Sequence, residues 1–77
     1  MVELKIDISS ASFPTSVTQF TGYSIPSNLL PAHTILHQVQ NTQRYVGVDA
    51  TTGAINRCTT KSSQESGSLY ISLYWYY

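Results

Sequence analysis

Very little of this chain is charged, and almost none of it is cysteine. Its 77 residues include four basic and four acidic side chains and a single cysteine, Cys58. One thiol rules out an internal disulfide and is compatible with a reducing compartment. Four basic residues form no stripe that would neutralise a run of phosphates, so nucleic acid is not an expected partner. No apolar run approaches the ~20 residues of a membrane-crossing helix, so membrane insertion is not expected. No basic-then-apolar leader opens the chain, so export by a cleaved signal peptide is not expected either. The four glycines, Gly22, Gly47, Gly53 and Gly67, are dispersed and make no phosphate-cradling loop.

Length sets a further limit. A chain this short buries roughly 60% of its unfolded surface, and domains of that size usually add disulfides, a metal or a partner subunit. Metal is poorly supported. His33 and His37 lie in "HTILHQVQ", which reads as a strand, and four residues of strand separate the rings by about 13 Å. That is too far for one tetrahedral zinc. No cofactor is expected, which leaves oligomerisation as the means of support.

What the chain does have is hydroxyls, amides and tyrosine. Eleven Ser and nine Thr supply most of its polarity, and six Tyr most of its aromatic content. The opening "VELKIDIS" alternates without a fault: Val2, Leu4, Ile6 and Ile8 on one face, Glu3, Lys5 and Asp7 on the other. That is a half-buried strand. "SSASFPTSVTQFTGYSIPSNLLPAH" follows, where Pro14, Pro26 and Pro31 exclude helix and central strand. Within it "SVTQFTGYSI" supplies one irregular strand, with Val17, Phe20, Tyr23 and Ile25 as candidate core residues, and "IPSNLLPAH" a loop around one end. "HTILHQVQ" is the next strand and "NTQ" a turn. "RYVGVDATTGAINRC" is the clearest hairpin: Asp49 accepts the backbone bonds that start its turn, and Gly53 supplies the positive φ. "KSSQESGS" reads as the last loop, with Gly67 leading into the terminal strand. The expected fold is all-β: one domain, residues 1–77, a small antiparallel β-sandwich or open barrel of about six short strands.

The chain closes on "SGSLYISLYWYY". Alternation puts Leu69, Ile71, Leu73 and Trp75 on a core face and Tyr70, Tyr74 and Tyr76 on the opposite one. Three tyrosines are too aromatic for an ordinary solvated face. Tyrosine loses little rotamer entropy on ordering and favours wet protein interfaces. Tyr70, Tyr74 and Tyr76 are therefore expected at a subunit interface, or else packed beneath loops of the same subunit.

No catalytic set stands out, and an enzyme is not expected. Glu3 and Asp7 share an exposed strand face, Asp49 serves a turn and Glu65 a polar loop, with no partner at an acid–base spacing. Nothing around Cys58 in "INRCTTKS" marks a nucleophile. Carbohydrate binding fits better. Sugar sites join an aromatic platform to side chains that bond hydroxyls, and Arg44, Tyr45, Asp49, Asn56 and Arg57 near the hairpin, with Gln43 and the terminal tyrosines, furnish such a set. Trp75 is excluded from that role by its place on the core face.

"LPAHTILHQVQ", "RYVGVDATTGAINRC" and the terminal "SGSLYISLYWYY" together resemble the C-terminal head domains of tailed-bacteriophage tail fibres and receptor-binding proteins. The matching positions are Leu30–Pro31, then Val46, Val48, Asp49, Gly53 and Ile55, then Leu69 to Tyr77. The resemblance implies a homotrimer of compact β-domains that binds host cell-surface polysaccharide or protein without catalysis. It also implies a place at the tail tip or fibre of a virion assembled in the host cytoplasm. Such heads follow a long stalk, whereas here a strand starts at Val2; an excised head and a free-standing tip or accessory subunit both remain open. Two other readings also fit the residues. One is a structural virion module (decoration, baseplate or assembly protein) that binds only other virion proteins, and the other a small β-lectin unrelated to phage.

Overall fold

Two strands from opposite ends of the chain pair to make one layer. The computed structural model describes all 77 residues. In it β1 (Val2–Phe13) and β6 (Glu65–Trp75) form a two-stranded antiparallel ribbon. β2 (Thr18–Ser24), β3 (Ile35–Gln38), β4 (Arg44–Val48) and β5 (Ala54–Thr59) form an antiparallel sheet in the order β2-β5-β4-β3. There is no α-helix; a single 3₁₀ turn, Ser27–Leu29, sits in the proline-bounded loop. The result is an all-β, sandwich-like domain of six strands.

Alternation explains the core. Val2, Leu4, Ile6 and Ile8 lie directly opposite Trp75, Leu73, Ile71 and Leu69. Residues opposite each other in an antiparallel pair share a face, so these eight make the inner surface of the ribbon. Leu69, Leu73 and Trp75 are buried there, against Val46, Val48 and Ile55 of the larger sheet. The indole N–H of Trp75 is not wasted, since it donates to the Leu29 carbonyl at 2.7 Å.

β1 is longer than its first eight residues suggest. Its register with β6 shifts between Ile8 and Ala11, as one extra residue does at a β-bulge. The inward set therefore changes from even to odd positions, and Ala11 and Phe13 become buried. Phe13, fully buried, belongs to the core although "SSASFP" reads as loop. The last strand is longer too: it starts at Glu65, inside the segment expected to be loop.

β2 corrects two expected core residues. Phe20 and Ile25 pack against the core, but Val17 and Tyr23 are exposed. Val17 lies just before Thr18, which pairs with the inward Arg57, and so has the outward parity of Gln19; for Tyr23 the reason lies in the register of β2 with β5. Four β2 residues, Phe20 to Tyr23, stand against the single Ile55 between paired positions, and Gly22 takes a φ of +87° to let the chain bulge. Of those four residues Phe20 alone is half-buried.

The β4–β5 hairpin forms as expected. Asp49 Oδ1 accepts from the Thr51 and Thr52 amides at 2.8 and 2.9 Å, and Gly53 closes the turn with φ +75°. A Cβ at Gly53 would overlap the Ile25 carbonyl. Asn41, at φ 61°, makes the positive-φ position of the β3–β4 turn, a conformation asparagine tolerates.

Both sheets are all or half edge: β1 and β6 have one neighbour each, and so have β2 and β3. The chain makes 31 backbone–backbone hydrogen bonds, where a domain of this length ordinarily makes about 50. Two adjacent substitutions test the alternation. Leu69→Ala should cost about 2–4 kcal/mol of unfolding free energy in urea titration, whereas Tyr70→Ala, one position on, should change it by less than about 0.5 kcal/mol in the monomer.

Candidate functional site

The hairpin carries all five of Arg44, Tyr45, Asp49, Asn56 and Arg57, but pairing geometry divides them. Arg44 and Arg57 lie opposite Thr59 and Val46. This is the face turned toward the ribbon. Tyr45 and Asn56 lie opposite Cys58 and Gly47, on the outward face. Asp49 stands apart at the turn, where its carboxylate is occupied by two backbone amides. Those bonds hold its pKa below the ordinary 3.8.

Arg57 is tied into the fold. Its Nε donates to the Ser12 carbonyl at 3.0 Å, and one terminal nitrogen donates to the carbonyls of Gln19 at 2.6 Å and Thr18 at 3.3 Å. The guanidinium also lies 4.3 Å from the centre of the Phe20 ring. One planar cation thus links β1, β2 and β5, a geometry that lysine's point charge does not supply. Arg57→Lys should destabilise the fold by about 2 kcal/mol in thermal or urea unfolding, because carbonyls lose a charged donor.

Arg44 occupies the other end of the same inner face. It lies 5.3 Å from the Phe13 ring and reaches the Ser66 carbonyl at 3.4 Å. The absence of a side chain at Gly67 makes this possible, since a Cβ there would come within 2.7 Å of the guanidinium. Arg44 Nε is buried without a hydrogen-bond partner, 3.7 Å from Glu65 Oε2. Glu65 also accepts from Lys61 at 2.9 Å and from the Thr59 hydroxyl at 2.7 Å. The Lys61 bond, then the Thr59 bond, hold its carboxyl below the ordinary 4.5. Around this ion cluster runs a cleft of about 470 Å³ lined only by polar residues: Asn41, Thr42, Gln43, Arg44, Lys61 and Glu65.

A depressed carboxyl stabilises the folded state at pH above its ordinary value and stops doing so as pH falls through the folded pKa. Wild-type protein should therefore lose stability below pH 4.5, and Glu65→Gln should show a shallower loss over that window. Urea midpoints measured between pH 2 and 6 give the comparison. Asp49 titrates in the same region and leaves part of the slope in both proteins.

The outward face of the larger sheet is chemically different. Tyr45 pairs with Gln38, and Asn56 pairs with Gln19. An aromatic ring thus stands among three side-chain amides across four strands, with Gln19 and Gln38 exposed and Tyr45 and Asn56 half-buried. Such a set can stack on an apolar ring face and bond to surrounding hydroxyls. Gln19 and Gln38 were not expected here, since only cross-strand register puts them beside Tyr45 and Asn56. Cys58, opposite Tyr45, is buried.

The third surface is the outer face of the ribbon. Tyr70 and Tyr74 are 77% and 51% exposed, and Tyr76, just past the end of β6, is 77% exposed, so no loop of the same chain covers them. Tyr70 stands opposite Asp7 and Tyr74 opposite Glu3. The Tyr74 hydroxyl donates to Glu3 Oε2 at 2.9 Å, which pushes its pKa above the ordinary 10.0. A fourth feature, legible only in three dimensions, is an apolar groove of about 260 Å³ beside β1, lined chiefly by Leu4, Ile6, Ile8, Phe20, Tyr23 and Ile55.

Set against family models, curated proteins and solved structures, the chain matches none. The fold and its surfaces define the class that can be stated: a small two-sheet all-β domain with a polar cleft, an aromatic–amide face and an uncovered row of tyrosines.

Proposed function

We propose that this chain is a non-enzymatic attachment domain of the phage tail-fibre head type, which binds host-surface polysaccharide as a homotrimer. The observation that carries the reading is the terminal strand. One of its faces buries Leu69, Leu73 and Trp75 in the core, while the other holds Tyr70 and Tyr74 in solvent, with Tyr76 exposed just beyond it. Exposed aromatic surface of this extent on a small domain marks an interaction site. Tyrosine suits the purpose because it presents a rigid ring and a hydroxyl together.

In this reading the tyrosine row joins subunits, and glycan units bind the outward face of the larger sheet. Tyr45 supplies the stacking ring; Gln19, Gln38 and Asn56 supply donors and acceptors to sugar hydroxyls. Arg44 and Arg57 act from behind, by holding the strands that carry those side chains. Weak sites repeated around a symmetric assembly raise avidity without a tight individual contact.

Two measurements test the parts separately. Native mass spectrometry at micromolar concentration should give masses in multiples of three, and Tyr70→Ser with Tyr74→Ser should abolish them. Retention on immobilised host envelope polysaccharide should fall at least tenfold in Tyr45→Ala and Asn56→Ala, with assembly unchanged. No retention by any host envelope fraction would overturn attachment and favour a scaffold that binds only other virion proteins.

A further inference from the structure

We propose that the free edge of β1 pairs antiparallel with the same edge of a second copy, about a two-fold axis at Ile6. This contact does not rest on the tyrosine reading. β1 has β6 as its sole hydrogen-bonded neighbour, and none of the backbone bonds outside the strand ladders involves it. The other edge of its first half therefore presents unpaired N–H and C=O groups. Natural edge strands are normally blunted by proline, an inward charge, a lysine, a bulge or an extreme shortness. From Val2 to Ile8, β1 carries only the outward Lys5 of these: the stretch lacks proline, its inward residues are all apolar, and the bulge comes after it.

The groove beside that edge says what fits. Leu4, Ile6 and Ile8 are only half-buried, and with Phe20, Tyr23 and Ile55 they line the apolar groove. An added strand must bring apolar side chains to the inner face at alternate positions and keep polar ones outside. β1 itself has that pattern.

Charge then selects the register. Opposed residues of an antiparallel pair share a face, so inward must meet inward and outward must meet outward. Four registers keep this rule near the strand centre. Pairing about Asp7 sets Asp7 against itself, Lys5 against Ser9 and Leu4 against Ser10, so no charge gains an opposite partner. Pairing about Lys5 sets Lys5 against Lys5 and Glu3 against Asp7, which is repulsive throughout. Pairing about Leu4 joins Glu3 to Lys5 but leaves Ile8 beyond the paired segment. Pairing about Ile6 sets Lys5 against Asp7 twice, Leu4 against Ile8 twice, and Ile6 against itself. In that register every outward charge except Glu3 gains an opposite partner, Glu3 meets Ser9, and the three groove residues of both copies are covered. The two ribbons fuse into one four-stranded layer, β6-β1-β1-β6.

Charge exchange tests this directly, with all substitutions on the exposed face so that the core is untouched. Sedimentation equilibrium of the wild type at micromolar concentration should show an even-numbered assembly: a dimer from this contact alone, a hexamer if the tyrosine contact also forms. Lys5→Asp places Asp against Asp7, and Asp7→Lys places Lys against Lys5. Each single variant should dissociate at least tenfold more readily, with an unchanged circular dichroism spectrum. The double variant Lys5→Asp/Asp7→Lys should recover wild-type assembly, and the two single variants mixed should form a mixed pair. A monomer at 100 µM, a trimer with no even multiple, or an even assembly insensitive to these charges would each overturn the proposal. A trimer of that kind would leave the tyrosine contact standing.

Discussion

The pairing of β1 with β6 is the constraint on which the rest depends. These strands come from opposite ends of the chain, so their register closes the whole molecule into one loop. Closing it costs entropy that grows only slowly with length, but the return comes late, through contacts distant in sequence. A two-stranded ribbon is marginal by itself. Here it persists because its inner face lies on Val46, Val48 and Ile55, and the hairpin sheet in turn has no other cover.

The ribbon also decides what faces outward. Once Leu69 and Leu73 are inside, Tyr70 and Tyr74 must be outside, since the period of a strand is two. The same logic divides the hairpin. Arg44 and Arg57 are turned toward the ribbon and bind the two layers together, whereas Tyr45 and Asn56 face away with Gln19 and Gln38. A domain with few charges uses both of its arginines as internal struts. Amides, hydroxyls and phenols, with the charges of Glu3, Lys5 and Asp7 on the ribbon and Lys61 beside the polar cleft, are left to meet whatever lies outside.

Much of this was legible in the residues. The alternation of Val2 to Ile8 and of Leu69 to Trp75 named both ribbon strands and their inner faces, and Asp49 with Gly53 named the hairpin turn. What was hidden was hidden for physical reasons. The bulge after Ile8 changes the inward parity, so Phe13 is out of phase with Val2 to Ile8 and resembles a loop residue. Val17 and Tyr23 look like core by type, yet Val17 has the outward parity of Gln19, and the widened register around Gly22 leaves Tyr23 exposed. Arg44 and Arg57 resemble ligand residues in sequence because a guanidinium that bonds backbone carbonyls has no local signature. The aromatic–amide face and the groove beside β1 arise from register between strands far apart in sequence.

Amide hydrogen exchange, followed residue by residue in the native monomer, tests the central claim most directly. If the ribbon and the hairpin sheet form one cooperative core, the bonded amides of Leu69 to Trp75 should be protected to the same global free energy as those of Val46 to Val48. Exchange of the β6 amides in minutes, while β4 and β5 stay protected, would show a ribbon that is not part of the fold, and would contradict the account.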